Sequence, residues 1–155
     1  MYKRKYTGKG IGVAVLDTGI FPHIDFGRRI LAFCDFTEGK SGPYDDNGHG
    51  THVSGILGGD GTASQGRYKG AAPGCGIVAL KVLDRFGNGS REDVLQAFQW
   101  IEDFGKIYNI RIVNISVGTT SRSMNEQTDL LAGVEQLWDK GFTVVAAAGN
   151  QGPGD

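Results

Sequence analysis

Four short apolar runs constrain the fold more than any other feature of this chain. They occupy residues 11–16, 76–83, 111–117 and 142–148 and are rich in Val, Ile and Ala. None keeps a strict in/out alternation, so each reads as a strand covered on both faces, the situation of a parallel sheet. A weaker strand is expected over 29–33. The segments between carry helical patterns with readable ends. Ser90 precedes Arg91-Glu92-Asp93, a capping-box-like start with acids in the first turn, and Val94, Ala97, Phe98, Ile101 and Phe104 follow at helical spacing. A second helix is predicted from near Ser123, with Glu126 three residues on. It carries Leu130, Leu131, Val134, Leu137 and Trp138 on one side and stops at Gly141. A shorter helix is predicted over 49–57. Strand–helix–strand repetition implies right-handed crossovers and a three-layer α/β/α sandwich with a mainly parallel sheet.

Composition narrows the partners. Sixteen basic and 17 acidic residues leave a net charge of -1, and no charge run is long enough for a nucleic-acid or membrane surface. An uncharged ligand, or a polymer recognised through its backbone, suits that balance better. Glycine is abundant, 26 of 155 residues, but it sits at the ends of apolar runs and so punctuates a folded chain. Cys34 and Cys75 read as two reduced, partly buried thiols. No apolar stretch approaches the ~18 residues of a membrane span. Residues 1–10 show no apolar signal-peptide core. That leaves the compartment open, with a cytoplasmic setting favoured.

Three places carry candidate chemistry. The first strand ends in Val15-Leu16-Asp17-Thr18-Gly19, which puts a carboxylate at the rim of an apolar sheet, where active residues of such folds gather. An isolated Asp there is more often a turn or cap residue. The second place is Asp45-Asp46-Asn47-Gly48-His49-Gly50-Thr51-His52-Val53-Ser54-Gly55. Its histidine stands between two glycines at a helix start, so other backbone can approach the imidazole closely. His52, inside the helix, is expected to be a satisfied structural residue. In the third, Ala146-Ala147-Ala148-Gly149-Asn150, a small-residue strand ends in an amide that could donate to a developing oxyanion. Read alone, it is only a turn.

Taken together and in this order, the Asp17, His49 and Asn150 blocks resemble three signature blocks of the subtilisin family. Asn114-Ile115-Ser116-Val117-Gly118 resembles that family's substrate-binding strand, with Val where Leu is commoner. The resemblance runs from about Gly8 to the last residue. It implies that Asp17 orients His49 and stabilises its imidazolium, that His49 relays the serine proton, and that Asn150 stabilises the oxyanion. These roles were worked out in subtilisin itself and are inherited here. It also implies two peptide-binding segments, Ser116-Val117-Gly118 and Gly87-Asn88-Gly89. A peptide or protein substrate would lie between them as an added strand.

The resemblance also implies what to expect beyond these motifs. The family's nucleophile follows in a Gly-Thr-Ser block, and none of the serines at 41, 54, 64, 90, 116, 121 and 123 lies in one. The 155 residues are therefore expected to form the N-terminal part of one peptidase domain, incomplete at its C-terminal side and inactive alone. They are expected to bind the missing C-terminal half or to self-associate through an exposed strand edge. No cofactor is expected. Asp25 matches a calcium-binding position of many relatives, but basic Arg67 and Lys69 in the neighbouring loop argue against a dication. The competing function is a non-catalytic, protease-like scaffold or regulatory half. A metal hydrolase built on His49 and His52 lacks the His-Glu-x-x-His glutamate. A dinucleotide site is opposed by Gly8-Lys9-Gly10-Ile11-Gly12, which precedes its strand instead of following it.

Overall fold

A computed structural model describes residues 6–117 and 124–147. Its five strands are β1 (Gly12–Asp17), β2 (Ile30–Asp35), β3 (Gly76–Lys81), β4 (Ile110–Ile115) and β5 (Thr143–Ala146). They form one sheet in the order β2-β3-β1-β4-β5, with every pairing parallel. Three α-helices connect them: α1 (His49–Gly58), α2 (Arg91–Phe104) and α3 (Met124–Asp139). The mainly parallel α/β architecture expected from the sequence is therefore the one observed.

The apolar runs lack alternation because both faces of the central strands are covered. Ala14, Leu16, Val78 and Leu80 pack towards Val94, Phe98 and Ile101 of α2 and Leu137 of α3. Their neighbours Val13, Val15, Ile77 and Ala79 pack on the other face with Ile20, Phe26 and, from α1, Val53 and Leu57. All six residues of β1 and all six of β3 are buried. Fully burying one such Val, Leu or Ile side chain stabilises the fold by roughly 1.5–3 kcal/mol, so these two strands anchor the sheet. On the edge strand β2, Leu31 is 42% exposed, and that strand carried the weakest sequence pattern.

Helix ends follow their local chemistry. The Ser90 hydroxyl caps α2 by accepting from the Asp93 amide at 3.1 Å. Gly141, just past α3, has φ +89°, a backbone conformation that favours glycine. Ser123, the expected cap of α3, lies outside the described residues. Helix α1 starts differently, because Gly48 at φ +101° makes no side-chain cap. The Asp45 carboxylate does that work from three residues upstream, accepting from the amides of Gly48 at 2.8 Å and Thr51 at 2.9 Å.

Strand β5 closes the described part of the sheet. Val145 is 51% exposed there, and Leu131 and Trp138 on α3 are each 63% exposed. Cys34 and Cys75 are free thiols, and burial pushes both thiol pKa values up. Among the described residues no helix is long and apolar enough to cross a membrane.

Candidate active site

Strand β1 ends at Asp17, and the first turn of α1 delivers His49 to the same edge of the sheet. The Asp17 carboxylate is 1% exposed and bridges the imidazole: Nδ1 of His49 lies 2.7 Å from Oδ1 and 3.0 Å from Oδ2. With Nδ1 bound to an acid, the tautomer carries its proton there and leaves Nε2 able to exchange a proton. The His49 side chain is 51% exposed, while the Asp17 side chain that holds it is buried.

Close approach of backbone makes this contact possible. A Cβ on Gly50 would stand 2.2 Å from the Gly19 carbonyl oxygen and 3.1 Å from the Asp17 Cβ. Gly50 instead lets α1 settle against the β1 turn, and its amide donates to the Thr18 hydroxyl at 2.9 Å. That hydroxyl donates onward to Asp45 Oδ1 at 2.9 Å, and the Thr51 hydroxyl donates to Asp45 Oδ2 at 2.5 Å. Burial pushes the Asp45 carboxyl pKa up, but the Thr51 hydroxyl and the Gly48 and Thr51 amides outweigh it, and the net shift is downward. The charged form of Asp45 thus ties the acid's turn to the histidine's helix. His52, expected to be a satisfied structural residue, is exposed on α1.

Two further groups at this edge gave no motif signal. Lys81, the last residue of β3, is paired in register with Asp17 and fully buried. Asp35 ends β2 and accepts from the Thr37 hydroxyl and from the amides of Thr37, Glu38 and Lys40. It also accepts from the Tyr44 hydroxyl at 2.6 Å. Burial raises the Asp35 pKa, yet the Tyr44 and Thr37 hydroxyls and the Glu38 and Thr37 amides hold it down at about 2. Burial first, and then the same bond to Asp35, push the Tyr44 phenol pKa well above its ordinary value. One carboxylate therefore folds the loop that leads to Asp45. The available signal was a charged residue inside a run expected to be buried, Lys81 within 76–83, which demands a partner.

The predicted peptide-binding segments flank this edge. Gly87-Asn88-Gly89 forms an exposed turn closed by the Asp84 amide donating to the Asn88 carbonyl at 2.7 Å. The Asn47 amide donates to the Arg85 carbonyl at 3.0 Å and so joins that turn to the His49 loop. Ser116 and Val117 follow β4, and the Ser116 amide donates to the Leu16 carbonyl at 3.3 Å. Beside Val117 an apolar cleft of about 300 Å³ opens between α2 and α3, lined also by Val94, Phe98, Ile115, Leu130 and Val134. Gly118 and Asn150 lie outside the described residues. At Asp25, Oδ1 accepts from the Ala63 amide at 2.6 Å. The Arg29 guanidinium donates to the Gly58 carbonyl at 2.6 Å, the Cys75 carbonyl at 3.1 Å and the Asp25 carbonyl, and stands 3.5 Å from Asp60.

The sequence profile of the subtilase family matches residues 8–155. The chain belongs to the subtilase family. It is similar to Serine protease AprX of Bacillus subtilis (strain 168), 42% identical over 152 residues that make up 95% of this chain and 34% of that protein. The Minor extracellular protease Epr of the same strain is 40% identical, over 99% of this chain and 22% of its own length. Among solved structures, a cold adapted subtilisin-like serine proteinase superposes with a TM-score of 0.78 at 30% identity, covering 97% of this chain and 50% of that one. Sphericase gives 0.74 at 31% identity, covering 99% and 50%. This subtilase chain thus spans about a third or less of those two relatives' length and half of the two solved structures.

Proposed function

We propose that this subtilase chain supplies the acid–base half of a serine endopeptidase. The observation that carries the reading is the Asp17–His49 pair: a buried carboxylate bridging Nδ1 of a half-exposed imidazole. In this reading His49 Nε2 takes the serine hydroxyl proton as the oxygen attacks a peptide carbonyl. Asp17 stabilises the resulting imidazolium and is not itself protonated. The Asn150 amide donates to the tetrahedral oxyanion, a contribution of about 10²–10³ in turnover in subtilisin. His49 then returns the proton to the leaving amine, the C–N bond breaks, and water later releases the acyl group. The substrate lies extended between 87–89 and 116–118, with an apolar side chain in the cleft beside Val117.

The serine comes from polypeptide outside these 155 residues. Among the described serines, Ser54 is buried within α1, Ser116 accepts from the Asn114 amide at 2.7 Å, and Ser90 caps α2. The exposed Val145, Leu131 and Trp138 support a complementing segment, or a second copy of the chain, seated against the β5 side. We read the corner at Asp25 as held by protein groups rather than calcium: Asp25 Oδ1 accepts from the Ala63 amide, and the cationic Arg29 stands against the Asp25 carbonyl and 3.5 Å from Asp60.

Co-expression with a segment bearing the family's Gly-Thr-Ser block, followed by labelling with a fluorophosphonate serine probe, tests the reading. Labelling that requires both the added segment and His49 is the expected result. A stable complex that never labels would mean a protease-like scaffold instead.

A further inference from the structure

The most unusual group outside the acid–base pair is the ammonium of Lys81. It is wholly buried, and each of its three protons has an acceptor on a different loop. Nζ donates to the Thr18 carbonyl at 2.8 Å, to Asp46 Oδ1 at 2.8 Å and to the Leu83 carbonyl at 2.7 Å. It also lies 5.2 Å from the centre of the Tyr44 ring. Burying a cation is costly unless it is fully paired, so a residue needed only to fill space would be apolar here.

The three acceptors identify what the cation organises. Thr18 follows Asp17 directly, and its amide donates to Asp17 Oδ1 at 2.7 Å, so restraining the Thr18 backbone at its carbonyl also restrains the carboxylate that its amide holds. Asp46 lies three residues before His49. Leu83 opens the turn that contains Gly87-Asn88-Gly89, and its amide donates to the Asp17 carbonyl at 3.2 Å. We propose that Lys81 is a positioning residue for the proposed peptidase chemistry. It acts through Thr18, Asp46 and Leu83 to hold the acid's turn, the histidine's loop and the 84–89 turn in one arrangement. The inference rests on the reading of Asp17 and His49 given above, but its geometry stands apart from any nucleophile.

The test reads the Asp17–His49 bond itself. In protein labelled with ¹⁵N-histidine, the proton on His49 Nδ1 is followed by NMR, and its exchange with solvent is compared between wild type and Lys81→Met. Methionine keeps most of the volume and removes all three donors. Exchange is expected to accelerate at least about tenfold, the effect of losing one to two hydrogen bonds that restrain local opening. Lys81→Arg, which keeps the charge and donors, should restore part of the protection. Asp17→Asn provides the reference for a lost acid. If Lys81→Met does not fold, Asp46→Ala, altered at a site 29% exposed, removes one of the three anchors. It should give a smaller acceleration.

A lowered melting temperature with unchanged Nδ1 exchange in these variants would overturn the proposal, leaving Lys81 a packing residue. Because this signal does not depend on a serine, the two readings fail separately. Accelerated exchange in a protein that never labels with fluorophosphonate keeps the clamp and removes the protease. Labelling with unchanged exchange does the reverse.

Discussion

Replacing Gly50 by alanine tests whether close backbone approach, rather than helix propensity, sets the Asp17–His49 contact. The added Cβ would meet the Gly19 carbonyl oxygen at 2.2 Å and the Gly19 amide nitrogen at 3.0 Å. An ordinary carbon–oxygen contact is about 3.3 Å or longer, so the two backbones must part by about 1 Å. Both are backbone atoms in tight turns and have no side-chain rotamer to absorb the shift. A retreat of that size stretches the Gly50–Thr18 bond, now 2.9 Å, and the Asp17–His49 bond, now 2.7 Å, beyond useful hydrogen-bond length. Overpacking costs about 1–3 kcal/mol and each lost hydrogen bond about 1 kcal/mol. The sum is about 3–5 kcal/mol, or a fall of roughly 6–20 °C in melting temperature for a chain of this size. Gly55 on the same helix is the control, since a Cβ there meets nothing within 4 Å. Gly55→Ala should stabilise by about 0.5–1 kcal/mol through helix propensity alone. Thermal melts of the two variants decide the matter. Gly50→Ala melting with or above wild type would refute the close-approach argument.

Two further outcomes follow from the charges. Asp35, held at about 2 in the fold against an ordinary 3.8, stabilises the fold above its unfolded pKa and loses that contribution as pH falls from about 4 towards 2. The shift corresponds to about 2 kcal/mol. Urea unfolding of wild type and Asp35→Asn should therefore differ most above pH 4 and converge near pH 2; a gap that stays constant with pH would contradict it. At the Asp25 corner, a chelator should leave the melting temperature unchanged. Arg29→Met, which strips donors from three carbonyls, should cost about 2–4 kcal/mol. Destabilisation by the chelator would reverse the assignment of that corner.

Burial on both faces is what made the sheet legible. Val13 and Val15 go to one layer and Ala14 and Leu16 to the other, so the run shows no alternation, and a parallel sheet follows. The observed strands begin or end within about two residues of the expected ones because the apolar pattern is blind to where the ladder hydrogen bonds stop. Edge strand β2 was weakest because only part of it is covered. The acid–base pair was legible by a different route. Asp17 and His49 are 32 residues apart and share no periodicity, so only their likeness to the family's blocks linked them. Arg29 was missed because a basic residue at the start of a weak strand reads as solvated, and Lys81 because its place inside a run expected to be buried does not show which groups pair it. Their function appears only when the acceptors are seen, and these lie on loops distant in sequence.

The strand order has a consequence for the order of assembly. Since β3 sits between β2 and β1, the first two strands to be synthesised have no ladder partner in one another. In the finished sheet they stand two strand spacings apart, about 9.6 Å, with the segment ending at Lys81 between them. A nascent chain leaving the ribosome must then carry β1 and β2 without their shared partner until β3 is complete, about 45 residues after β2 ends. The insertion that completes the sheet's centre is also the event that brings the ammonium beneath Asp17's turn. The contact between Asp17 and His49 therefore gains its full support only after β3 has been made, well after both of its own residues.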